Sequence, residues 1–155
     1  MASTITAATM TVTVTESINL NGQNQGSTNT LSLASIAEIS KRIINVPASE
    51  VEIVAMSTAV AAGTFVESTV KYIRITNLDD TNHVVLTFKS EGNHEFAVKV
   101  DKGQSFIYNG DVSGGVVDTM DASGSALSLA LEDLVNITAL ADTAACDLEV
   151  FVAST

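Results

Sequence analysis

The sequence holds one proline (Pro47), one cysteine (Cys146), no tryptophan, two tyrosines and five phenylalanines among its 155 residues. Lysine and arginine are absent from residues 1–40 and again from residues 103–155. Each shortage removes a class of answer. A single cysteine cannot close an intramolecular disulfide, so nothing marks an oxidising compartment. Set between Ala145 and Asp147, with neither histidine near it in the chain, that thiol reads as a small buried apolar side chain rather than a nucleophile. All seven cations lie between Lys41 and Lys102, where eight acids nearly cancel them. No cluster remains to displace counterions from phosphates, which excludes nucleic acid as a partner. The net charge of −11 favours solubility and repels anionic membranes. The opening MASTITAATM has no basic region and no continuous apolar core of the secretory kind. The most apolar window, residues 51–66, is interrupted by Glu52, Ser57, Thr58 and Gly63 and is too short to span a bilayer. These readings lead us to expect a chain made and left in the cytoplasm, with no membrane partner.

What is present is a repeated two-residue period. Met10, Val12 and Val14 alternate with Thr9, Thr11, Thr13 and Thr15, which sets methyl groups on one face of a strand and hydroxyls on the other. A polar loop is read over residues 21–29. Leu31 and Leu33 follow, then a segment ending in Arg42-Ile-Ile-Asn-Val46 that Pro47 stops, because proline cannot donate to a sheet ladder. Residues 51–56 read as the next strand. Ile73 and Ile75 point to one side while Tyr72, Arg74 and Thr76 point to the other; Val84, Leu86 and Phe88, and then Phe96, Val98 and Val100, repeat the scheme. With Ser105 to Tyr108, these four closely spaced runs read as an antiparallel meander, beginning with a hairpin turned at Asp79-Asp80-Thr81-Asn82. A glycine-punctuated surface loop is expected after Asn109. Residues 125–141 fit either a short helix or a strand at first, and a strand from Leu134 onward. Leu148, Val150 and Val152 close the chain with a clean alternation. Length and pattern together give one all-β domain of eight or more strands with little helix, an antiparallel β-sandwich or jelly roll.

Reactive constellations are sparse. His83 and His94 stand eleven residues apart on consecutive strands. They would make a metal pair only with Glu91 or Glu95 beside them, and histidines next to turns are more commonly solvated rim residues. Asp79 and Asp80 have local turn work, bonding nearby backbone N–H groups. Asp111, Asp118 and Asp121 are a slightly better calcium set, but they lack the Asp-x-Asp-x-Asp-Gly spacing. Asn136-Ile-Thr138 matches a glycosylation acceptor, with no secretory signal to give it meaning. There is no phosphate loop, no Gly-x-Ser-x-Gly and no carboxylate pair set for glycoside hydrolysis. We therefore expect no enzyme, no catalytic, cofactor-binding or metal-binding residue, and no cofactor.

The segments KYIRITNLDD (residues 71–80) and EFAVKVDKGQSFIYNGD (residues 95–111) resemble a stretch found in small structural proteins of tailed bacteriophages, especially marine ones. The resemblance covers about residues 65–115, with a weaker echo at residues 148–153 as a closing strand. It implies a β-sandwich virion component, most simply a capsid decoration (cement) or head–tail accessory subunit. Its partners would be other virion proteins, such as the major capsid protein or neck and tail proteins. It would form a homo-oligomer, a trimer first, in a particle assembled in the host cytoplasm. The competing reading is a carbohydrate- or receptor-binding jelly roll of a tail fibre. Residues 1–8 are too small and uncharged to order alone, so a flexible N-terminal arm is expected ahead of a domain over residues 9–155. The Thr9–Thr15 strand would then suit pairing with a neighbouring chain's edge.

Overall fold

A computed structural model describes residues 4–117 and 130–155. The chain divides into two compact units, residues 1–38 with Thr155, and residues 39–154.

The first unit is a ribbon. Its strands are β1 (Ala8–Thr15), β2 (Asn19–Leu20), β3 (Gln23–Asn24) and β4 (Thr28–Ile36). β1 and β4 pair antiparallel, with Met10 opposite Leu33, Val12 opposite Leu31 and Val14 opposite Asn29. Directly opposite residues share a face. The apolar side chains therefore form one stripe, while Thr11, Thr13 and Thr15 meet Ser32, Thr30 and Thr28 on the other face. β2 and β3 make a small hairpin inside what reads from sequence as a polar loop. Its two-residue turn, Asn21-Gly22, has φ of 52° and 79°. Positive φ at both positions is the geometry that a tight hairpin turn requires, and Asn-Gly adopts it at little cost. Thr4 to Ala7 are exposed and carry no regular structure, and Ala8 begins β1. The arm expected over residues 1–8 otherwise falls on residues 1–3, outside the described residues. The strand thought suited to a neighbour's edge pairs here with β4 of its own chain.

The second unit is an all-β sandwich. Its strands are β5 (Glu38–Val46), β6 (Val51–Ser57), β7 (Phe65–Val66), β8 (Val70–Asn77), β9 (Val84–Ser90), β10 (Glu95–Val100), β11 (Ser105–Asn109), β12 (Val116–Val117), β13 (Leu131–Glu132), β14 (Leu134–Ala141) and β15 (Cys146–Ser154). A five-stranded sheet runs β10–β9–β14–β6–β7 and a four-stranded sheet runs β11–β8–β15–β5, with β12 and β13 as a separate short pair. The pairs β10–β9, β9–β14, β14–β6, β11–β8, β8–β15 and β12–β13 are antiparallel, and β6–β7 is parallel. Ile73, Ile75, Val150 and Val152 from one sheet share a single core with Val84, Leu86, Phe88 and Ile137 from the other. Phe88 is the centre of an aromatic cluster. Its ring lies 4.7 Å from that of Phe96 on the same sheet and 5.0 Å from that of Phe106 on the opposite one. Cys146 is a free, fully buried core residue, as its apolar setting suggests.

The meander reading is corrected at its first turn. β8 pairs with β11 and β15, whereas β9 pairs with β10 and β14, so Tyr72–Phe88 is a crossing between sheets and not a hairpin. Of the four runs read as a meander, only β9 and β10 pair as consecutive neighbours among the described residues. The six residues 78–83 are long enough to cover the roughly 10 Å between packed sheets. Polar groups hold that path. Asn77 is fully buried, and its amide donates to the carbonyls of Asn82 (2.9 Å) and Val100 (3.3 Å). Its Oδ1 accepts the N–H of Asp79, while the Asp79 carboxylate accepts the N–H of Thr81 and of Asn82. The turn chemistry expected of Asp79 is present, in service of a crossover. Alternation shows which face each residue occupies but not which strand lies beside it.

Asn77→Ala should lower unfolding free energy by about 1–3 kcal/mol, the cost of stranding buried carbonyl and N–H groups. Chemical denaturation of the variant against the wild type measures it, and a smaller loss would remove Asn77 as the lock on the crossover.

Candidate functional site

The two histidines are kept apart. His83 precedes Val84, which pairs with Val100, and His94 precedes Glu95, which pairs with Lys89. They thus flank opposite ends of the β9–β10 hairpin, about 20 Å apart at roughly 3.3 Å per residue. A shared ion needs ligands about 2 Å from the metal, so the metal-pair reading fails on position. Each imidazole faces a carboxylate instead. His83 Nδ1 lies 3.5 Å from Asp142 Oδ2, and His94 Nδ1 lies 2.9 Å and 3.0 Å from the two oxygens of Glu132.

The second of these contacts is the most built polar feature of the sandwich. The Ser90 hydroxyl donates to Glu132 Oε2 and accepts the backbone N–H of His94 at 3.0 Å. The Gly92 N–H also points at the carboxylate, and a Cβ at Gly92 would overlap the Glu132 carboxylate. Hydrogen bonds from Ser90 and then His94 hold the Glu132 carboxyl below the usual carboxylate range, against a smaller opposing effect of burial. The Ser90 hydroxyl proton is directed at the Glu132 carboxylate. The trio is a clasp between the β9–β10 turn and β13. A second carboxylate group lies near it. Burial raises the Glu67 carboxyl, and the neighbouring charges of Asp133 and Glu91 raise it further.

The other sequence candidates fall in separate places. Asp111 is 2.6 Å from Lys71 Nζ, and Asp118 and Asp121 lie outside the described residues. Glu95 is 3.5 Å from Lys89, whose closer partner is Glu50 at 2.8 Å. Asn136-Ile-Thr138 lies within β14, with Thr138 buried and donating to Glu50 at 2.6 Å, so this site is structural. The Cys146 thiol is pushed up by burial first and by Asp79 next, which keeps it protonated and unreactive. Among the described residues, no group of three or more His, Cys, Asp or Glu side chains is placed to hold a metal ion. A polar cup at the turn end of the ribbon includes Glu16, Asn24 and Ser27, and the Ser27 hydroxyl donates to Glu16 at 2.8 Å.

What remains is exposed apolar surface in an ordered place. β5 is an edge strand of nine residues, and its Ile39 and Ile43 are 59% and 63% exposed on the face that also carries Lys41. The ribbon exposes Val14, Ile18 and Leu20, with Met10, Val12, Leu31 and Leu33 half-buried along the same stripe as Val14. The sequence points to a neighbour's edge only for Thr9–Thr15 and not for β5, because periodicity cannot tell a face that meets core from one that meets another molecule. No protein-family model matches the chain, and no curated protein matches its sequence.

Glu132 and Glu67 should respond to acid in opposite senses. A carboxyl lowered in the fold contributes stability that is present above its unfolded pKa and lost as pH falls through the folded value. Glu132→Gln should therefore destabilise the protein at neutral pH, with the deficit shrinking below about pH 4.5, the ordinary glutamate value. Glu67, raised in the fold, costs stability when ionised, so Glu67→Gln should be neutral or stabilising at neutral pH. Thermal denaturation of both variants from pH 3 to pH 8 reads the two signs, and equal behaviour would refute the assignments.

Proposed function

We propose that the chain is a structural subunit of a tailed-phage particle, a capsid decoration (cement) or head–tail accessory protein that works through protein–protein contacts. The observation that carries this reading is the apolar alternation on a two-stranded ribbon. Two strands alone are marginally stable in water, and an apolar stripe on such a ribbon gains stability when another surface covers it. The exposed isoleucines of β5 add a second apolar site on a sheet edge, where pairing with another chain is available. The resemblance of residues 71–80 and 95–111 to phage structural proteins supports the same setting.

The carbohydrate-binding alternative loses ground on the aromatic residues. Sugar sites stack rings against exposed aromatic platforms, and none of the seven aromatic side chains is exposed here. Phe88, Phe96, Phe106 and Tyr108 pack together in the core region, and Phe151 sits beneath the Arg74 guanidinium. The cup beside Glu16 is polar and contains no ring.

Mass spectrometry of purified phage particles that encode this chain tests the proposal. We expect stoichiometric amounts in the particle, and absence from it would overturn the reading. Saturable binding on a glycan array, abolished by Glu16→Ala, would transfer the function to the ribbon cup.

A further inference from the structure

We infer that the ribbon of one copy docks on the β5 edge of a second copy of this same chain, in a closed assembly where every subunit both gives and receives. This rests on the contact-protein reading and names its first partner.

Charge selects the two surfaces. A net charge of −11 sets copies of the chain against each other wherever acids dominate. The ribbon is the exception, because residues 4–37 carry one charged side chain, Glu16. β5 is the natural complement, since it holds Lys41 and Arg42, two of the seven cations. Arg42 is turned to the Ile53 carbonyl, whereas Lys41 stays 58% exposed while 3.0 Å from Glu149. An acid-bearing, cation-free ribbon thus meets the one strand on which exposed isoleucines flank an accessible ammonium.

Strand chemistry fits as well. β1, β4 and β5 are eight, nine and nine residues long. Among the described residues β5 ends its sheet and β1 and β4 pair only with each other, so each of the three has one edge with no ladder partner there. Edge-to-edge pairing would satisfy those backbone groups, and the apolar stripe through Val14 would cover Ile39 and Ile43.

Area decides the symmetry. At roughly 3.3 Å per residue and about 10 Å of width, one ribbon face offers on the order of 300 Å². A stable interface buries about 800 Å² per partner. One docked ribbon falls short, and two-fold exchange brings both ribbons into one interface of about 600 Å² per subunit, the lower end of the stable range, which favours reciprocal two-fold exchange over single contacts.

Cysteine pairing on the full-length protein tests the seam. Val14→Cys and Ile43→Cys are made in separate chains, mixed, and treated with a mild oxidant; the native Cys146 is buried and does not compete. We expect a disulfide dimer from the mixture and none from either variant alone. Ile39→Lys with Ile43→Lys, at two exposed positions, should convert the wild-type oligomer to monomer in sedimentation velocity while far-UV circular dichroism keeps the all-β spectrum. A wild type that is monomeric at every concentration, or disulfides formed only between identical variants, overturns the inference. A protein that is monomeric in solution yet present in particles would defeat this inference and leave the proposed function standing. The reverse result, a cross-linked oligomer absent from particles, would keep the seam and remove the function.

Discussion

The ring of Phe88 is the contact on which the sandwich depends. It is fully buried on β9 and touches Phe96 on the adjoining strand and Phe106 and Tyr108 on the opposite sheet. Elsewhere the core is largely branched aliphatic side chains and alanine, which interdigitate across the roughly 10 Å between the sheets. One aromatic cluster therefore ties the two layers at the end where β9, β10 and β11 meet. Four of the seven aromatic rings are taken up in this cluster.

Around that core, polar side chains decide the path of the chain. Asn77 bonds the two turns that carry the backbone between layers, after β8 and after β10. Glu132, held by Ser90 and His94, fastens β13 to the β9–β10 turn. The Tyr108 hydroxyl donates to the Gly115 carbonyl at 2.8 Å, joining the aromatic cluster to the glycine-punctuated segment. These groups are the ones whose loss would leave buried donors and acceptors unpaired, and they specify connectivity that apolar packing alone would leave open. On the outer face of the four-stranded sheet, Glu149 takes Arg74 at 2.6 Å and Lys41 at 3.0 Å, so its carboxyl is lowered by both.

Much of the fold was legible in the residues. The alternations at Ile73–Ile75, Val84–Phe88 and Leu148–Val152 are strands with the expected faces inward, Met10–Val14 is a strand whose apolar face stays partly open, and Cys146 is an inert core residue. Asn21-Gly22 carries a hairpin signal, but its apolar neighbours, Ile18 and Leu20, lie on one side only and do not mark a pair of strands. The clasp was half visible: His94 and Glu91 could be named as neighbours, but Glu132 lies 38 residues away from the histidine it holds.

By itself the sequence determined which residues are strand, which side of each strand is apolar, and which chemistries the composition rules out, because all of these depend on a two-residue period and on residue type. Only the tertiary structure decided that β8 and β9 lie in different sheets, that the two histidines serve separate carboxylates, and that β1 is zipped to β4 while β5 stands at an edge. Strand neighbours are set by where long-range apolar faces and buried hydrogen bonds are satisfied together, and that is a property of the whole packed chain that no local window contains.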